Sequence, residues 1–211
     1  MNRLILASSI IAISCALVVS AQSAAVSISN EPHHKRLLYT NDLRLWDVEL
    51  PPGQSTPPFV HEYDVATVVI GDGTLNIQRS GEQLSPPSPN ARGSVIVAQH
   101  TGAAAPYRIE NTGTTDYRAL EIENMHEAKQ TPPFVISDIV LKPGDAAAMH
   151  QHTGSTIIVL ISGALEQGGI GGEEPVRIQQ LGQWLALPRF QGHTVAPVGA
   201  GGAHAIEIEV R

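Results

Sequence analysis

Nine histidines are the main chemical resource of this chain, and three of them stand at a spacing with chemical meaning: His150, one residue, His152, then His193 a further 41 residues on. Residues i and i+2 of a β-strand project to one face, so His150 and His152 can present both imidazoles to one interior while Gln151 faces away. A third imidazole, His193, from a neighbouring strand completes a triangle suited to a divalent ion such as iron, zinc or manganese. Thr156 lies four residues beyond His152, on the same strand face. Its hydroxyl either reaches a water held by such an ion or fills a wall, as β-branched residues do. Met149, Trp184 and Phe190 flank these positions, as pocket lining or as plain core.

The remaining histidines read more blandly. His33 and His34 precede Lys35 and Arg36 in a polar stretch that reads as a solvated arm, and His100 and His126 stand alone; surface roles are expected for all four. His204 and Glu207 share the last apolar run and are an odd step apart, so strand parity lets only one of them face a pocket. There is no G-x-S-x-G elbow and no P-loop, and the single cysteine, Cys15, lies in the N-terminal apolar run. The glycine-rich piece Gly168 to Gly172 reads as a hairpin tip.

The elements that must position these groups are short. Apolar, β-branched-rich runs bounded by Gly or Pro occur at Val65 to Ile70, Ser94 to Val97, Arg118 to Glu123, Val135 to Leu141, Thr156 to Ile161, Trp184 to Leu187 and Ala205 to Val210. Helical periodicity is nowhere sustained over the roughly 10 to 12 residues a helix needs. An all-β, antiparallel architecture, closed or sandwiched to hide its edges, follows.

The chain also repeats itself. Leu50-Pro51-Pro52-Gly53 with His61 recurs 91 residues later as Leu141-Lys142-Pro143-Gly144 with His152. Tyr117 to Glu123 recurs 86 residues later as Ala203 to Glu209. Duplication is the simplest reading, with halves over 37–124 and 134–211.

Composition narrows the partners. Lys and Arg total 13 against 20 Asp and Glu, a net −7 with no basic run, so a nucleic-acid partner is not expected. Arg3 followed by the apolar run Leu4 to Val19 and by small residues before Gln22 reads as a secretory signal peptide over 1–21, with Ser23-Ala24-Ala25 as a second cleavage option. The run is shorter than the roughly 20 apolar residues of a membrane span. A periplasmic or secreted chain without disulfides and without a stable span after signal removal is expected. A lipoprotein reading, with Cys15 acylated, suffers from the lack of leucine in Ala12-Ile13-Ser14 and from the apolar Ala16 to Val19 that follows.

These residues resemble the cupin superfamily. Its first motif runs glycine, five residues, H-x-H, three or four residues, glutamate, six residues, glycine; Gly144, His150, His152 and Gly163 match it, and Thr156 stands where the glutamate belongs. Gly182, Pro188 and His193 match the second motif, while Phe190 and Pro197 replace its glycine and asparagine. The resemblance implies two tandem cupin (jelly-roll-like) β-barrels, a bicupin, with one divalent transition metal on His150, His152 and His193. Fe(II) is favoured, with Zn or Mn as the other options. Because some cupin oxygenases hold iron with three histidines, it implies a dioxygenase-like enzyme acting on a small oxygenated organic acid, diketone or phenol. A non-enzymatic small-molecule-binding or sensing cupin and a metal-dependent isomerase or lyase stay open, as do monomer and homodimer. In the first half Phe59, His61, Val65 and Tyr107 occupy the motif positions. The half is expected to be a degenerate copy kept for packing or pairing, with His61 a hydrogen-bonded core or rim residue.

Overall fold

The computed structural model describes residues 24–102, 104–126, 132–169 and 174–211. The signal segment with Cys15, and Ile170 to Gly172 of the expected hairpin tip, lie outside the described residues.

The fold is all-β, and its strands are short because turn-forming Gly and Pro interrupt each apolar run. The first half contributes β1 (Val26–Ser27), β2 (His34–Tyr39), β3 (Leu43–Leu50), β4 (Phe59–Val60), β5 (Asp64–Gly71), β6 (Gly73–Arg79), β7 (Ser88–Asn90), β8 (Val95–Ala98), β9 (Tyr107–Asn111) and β10 (Tyr117–Asn124). The second contributes β11 (Phe134–Leu141), β12 (His150–Gln151), β13 (Thr156–Ser162), β14 (Leu165–Gly169), β15 (Val176–Ile178), β16 (Trp184–Leu187), β17 (Gly192–Pro197) and β18 (Ala203–Val210). Each of the apolar runs identified above forms a strand.

These strands make two sheets in each half. The orders are β1-β4-β9-β6-β7 and β2-β3-β10-β5-β8 in the first, then β12-β17-β14-β15 and β11-β18-β13-β16 in the second. The second pair of orders repeats the first strand for strand once β1 and β2 are removed. Those two strands, with the 3-10 turn Ile28–Asn30 between them, have no counterpart among the described residues of the second half.

Strand alternation sorts the side chains into three apolar clusters. On β18, Ile206, Ile208 and Val210 face outward from their own half and meet Leu43, Leu45, Leu120 and Ile122 of the other half in a shared core. Ala203 and Ala205 face the opposite way, with Ile158, Leu160 and Val195, into the second half's interior. Trp46, Val48, Leu50, Phe59 and Ala119 fill the first half's interior. Both faces of the central strands are therefore buried, and the polar groups on them must find partners. Among the described residues no helix is long and apolar enough to cross a membrane.

Candidate metal centre

The second half gathers four donors at one point. His150 on β12 stands directly opposite His193 on β17, with ring centroids 4.3 Å apart. His152 follows β12, and its ring centroid lies 5.2 Å from that of His193. The fourth donor is Glu207 on β18. Its Oε1 lies 3.4 Å from His193 Nε2, 3.7 Å from His150 Nε2, and in contact with His152 Nε2. One ligand atom from each of the four lies within 4.8 Å of every other.

The three expected histidines come together, and a carboxylate joins them as a fourth possible donor. The carboxylate does not come from the Thr156 position on β13 but from the adjacent strand, where Glu207 pairs with Ile158 and Glu209 pairs with Thr156. Parity decides between Glu207 and His204. Ile206 and Ile208 take the inter-half face, so Glu207 must point inward, while His204 points outward and hydrogen-bonds Asp138 at 2.6 Å.

The donor set fits a divalent metal on the structure's own terms. His152 Nε2, His193 Nε2 and Glu207 Oε1 are buried and make no hydrogen bond. A buried carboxylate left uncompensated costs on the order of several kcal/mol, so an arrangement of bare lone pairs around a common point calls for a cation. Donors at about 2.0 to 2.2 Å from one ion sit roughly 3 to 3.5 Å apart, close to the 3.4 and 3.7 Å that separate Glu207 Oε1 from His193 and His150 Nε2. Burial by itself would raise the Glu207 carboxyl, but the adjacent His193, His152 and His150 imidazoles outweigh it and hold the group below the usual range.

An outer layer of bonds fixes the rings. Glu209 Oε2 lies 3.3 Å from His152 Nδ1, while its Oε1 accepts from the Thr153 amide and hydroxyl and from the Gly154 amide. These bonds overcome the burial that would raise its carboxyl and keep it ionised. His150 Nδ1 is held by the Ala148 carbonyl at 2.9 Å. Carboxylate and carbonyl partners on the far ring nitrogen set the tautomer that leaves Nε2 free for an ion.

The expected flanking residues lie elsewhere. Thr156 is fully buried on the inner face, but its hydroxyl donates to the Gly154 carbonyl at 3.3 Å and is not among the donors. Trp184 packs against the core shared by the two halves rather than the pocket, and Met149 and Phe190 are exposed. Phe190 has φ +60°, the left-handed region, which accounts for a glycine at that motif position.

The first half holds a second cluster that the solvated-arm reading of His34 missed. His34 is buried, not solvated. Its Nδ1 donates to Glu31 and its Nε2 lies 3.3 Å from Glu121 Oε2, the same distance as His61 Nε2. Burial alone would lower the His34 imidazole, yet Glu121 and Glu31 raise it to about 9. His61 is raised in the same way by Glu121 and Glu123, and together His34 and His61 hold the Glu121 carboxyl far below its usual value. His61 is a core residue with its Nδ1 on Glu123 at 3.0 Å. His100 stacks on Tyr107 and His61, and His126 sits beside Asp42 and Arg189, a pair that joins the halves. Only the Glu-x-Glu shared by the repeated blocks, Glu121/Glu123 and Glu207/Glu209, signalled these carboxylates in the sequence.

Fold and site together define a cupin-fold protein with donor groups for metal. Among solved structures the chain is similar to an oxalate decarboxylase formate complex from Lactobacillus farciminis, at TM-score 0.64 and 10% identity over 88% of this chain and 85% of that one. It is also similar to AerE from Microcystis aeruginosa, at TM-score 0.62 and 13% identity over 86% and 98%. A cupin 2 conserved barrel domain protein from Leptotrichia buccalis aligns at TM-score 0.55 and 14% identity over 84% and 88%. No family model matches the sequence, and no curated relative does.

Proposed function

We propose that the chain is an exported bicupin, with modules over 37–124 and 134–211, that binds a divalent transition metal at His150, His152, His193 and Glu207 and acts on a small oxygenated organic acid. The observation that carries this reading is the convergence of unpartnered Nε2 and Oε1 atoms beside a partly open mouth. His193 and Glu207 side chains are 0% and 2% exposed, whereas His150 is 37% exposed, so a small molecule has access from that side.

The bound ion would supply Lewis-acid polarisation of a ligand oxygen. The chain's own groups hold it: Glu209 orients His152, the Ala148 carbonyl orients His150, and the 153–154 amides keep Glu209 in place. Fe(II) remains the first candidate, with Mn and Zn next.

The carboxylate changes the weighting of reactions. Oxygen-dependent cleavage was favoured by a centre of three histidines alone, and Glu207 removes that preference. It favours a second reading, redox-neutral cleavage of a small carboxylic acid, consistent with fold neighbours described as oxalate decarboxylases, one of them with Mn(II) centres.

Metal content measured by mass spectrometry on the purified chain and on a His152→Ala, His193→Ala variant tests the site. Loss of one equivalent per chain in the variant is expected; an unchanged content overturns the reading. Oxygen uptake and carbon dioxide release with small dicarboxylic and 2-oxo acids then separate the two reactions.

A further inference from the structure

We propose that the first half holds a second divalent cation, bound by His34, His61 and Glu121, at a site assembled partly from outside the repeat. In the second half the ligand positions are His150, His152, His193 and Glu207. Their counterparts in the first are Phe59, His61, Tyr107 and Glu121, so the repeat alone retains one imidazole and one carboxylate. The missing imidazole arrives on β2, which has no equivalent among the described residues of the second half, and His34 points from it into the barrel beside Phe59, with ring centroids 4.9 Å apart.

Three observations point to a cation rather than to packing. First, His34 Nε2, His61 Nε2 and Glu121 Oε2 are buried, and none of the three makes a hydrogen bond, although both nitrogens lie 3.3 Å from the oxygen. The atoms share a point without aligning a proton between them, and 3.3 Å is close to the separation of donors on one transition ion. Second, both histidines have a carboxylate on the other ring nitrogen, Glu31 for His34 and Glu123 for His61. That carboxylate–histidine arrangement fixes the tautomer with Nε2 unprotonated and raises its basicity as a ligand.

Third, one divalent cation balances the charges once the imidazoles are in the neutral, ligating form. Glu31, Glu121 and Glu123 are buried, and the Arg44 guanidinium, 2.8 Å from Glu123, compensates one of them. With neutral imidazoles the cluster is left at −2, which a divalent ion cancels. The second half reaches the same balance, with Glu207 and Glu209 against one ion. Two imidazoles and a carboxylate suit zinc and the other divalent first-row ions, with a fourth position left for water.

The test is stoichiometry. The full chain, stripped with a chelator, is titrated with Zn²⁺ alone and followed by calorimetry, with circular dichroism to check folding. Two equivalents per chain are expected, falling to one in His34→Ala and in Glu121→Gln, and to one, the other one, in His152→Ala, His193→Ala. A single equivalent in the wild-type chain that persists in both first-half variants overturns the proposal and leaves the second-half site standing. It would identify the cluster as a proton-bridged network. Should the variants fail to fold, anomalous scattering at the zinc edge from wild-type crystals decides: a peak between the three atoms is expected, and its absence with the second-half peak present refutes the site.

Discussion

Phe59 and Tyr107 face each other across β4 and β9 with ring centroids 4.5 Å apart, in the register at which His150 and His193 face each other across β12 and β17 at 4.3 Å. The two halves thus keep one backbone solution and exchange a pair of imidazoles for a pair of aromatic rings. Restoring the imidazoles by Phe59→His, Tyr107→His should tighten Zn²⁺ binding in the first half, measured by competition with a chromophoric chelator.

Glu207, not Thr156, should govern retention of the second-half metal. Glu207→Gln removes the charged donor and is expected to release the ion on dialysis. Thr156→Val removes only a 3.3 Å bond to the Gly154 carbonyl and should leave metal content unchanged, at a stability cost of about 1 kcal/mol or less.

Glu209 acts through His152. Glu209→Gln should weaken metal affinity about 10- to 100-fold, the usual effect of losing a ligand's carboxylate partner. Thr153→Ala, which removes one bond to the same carboxylate, should have the smaller effect in the same calorimetric titration.

Phe190 is the residue other than glycine that sits at positive φ among the described residues, and it is 64% exposed. Phe190→Gly relieves a left-handed conformation worth about 1 to 2 kcal/mol, against an unfolded-state entropy penalty of about 0.4 to 1 kcal/mol. A modest net gain in urea stability is expected, with metal content intact.

The metal-free chain should lose stability on the alkaline side. His34, facing Glu31, Glu121 and His61, with Glu123 and Arg44 beyond, is raised from 6.5 to about 9 by folding. A raised imidazole stabilises fully below its unfolded value, so its contribution is complete below about pH 6.5 and disappears as pH rises through about 9. Thermal melts of the chelator-treated chain across that window should show a falling midpoint. The zinc-loaded chain should lack the fall, because its ligated imidazoles carry no proton to lose.

Much of this was legible in the residues themselves. The H-x-H spacing put His150 and His152 together because strand side chains alternate with a period of two, and the duplicated blocks carried matching strands into both halves. The choice of carboxylate was not legible. β18 reads Ala-His-Ala-Ile-Glu-Ile-Glu-Val, and simple alternation would send its glutamates to solvent. Only the packing of Ile206, Ile208 and Val210 against the other half makes the charged face the interior one. His34 was hidden for a similar reason. A polar His-His-Lys-Arg stretch has the composition of an exposed arm, and its burial comes from the pairing of β2 with β3, which places His34 opposite Val48 at the edge of a barrel already lined with acid groups. Local periodicity determines which residues share a face, whereas which face is inside depends on what the fold stacks against it.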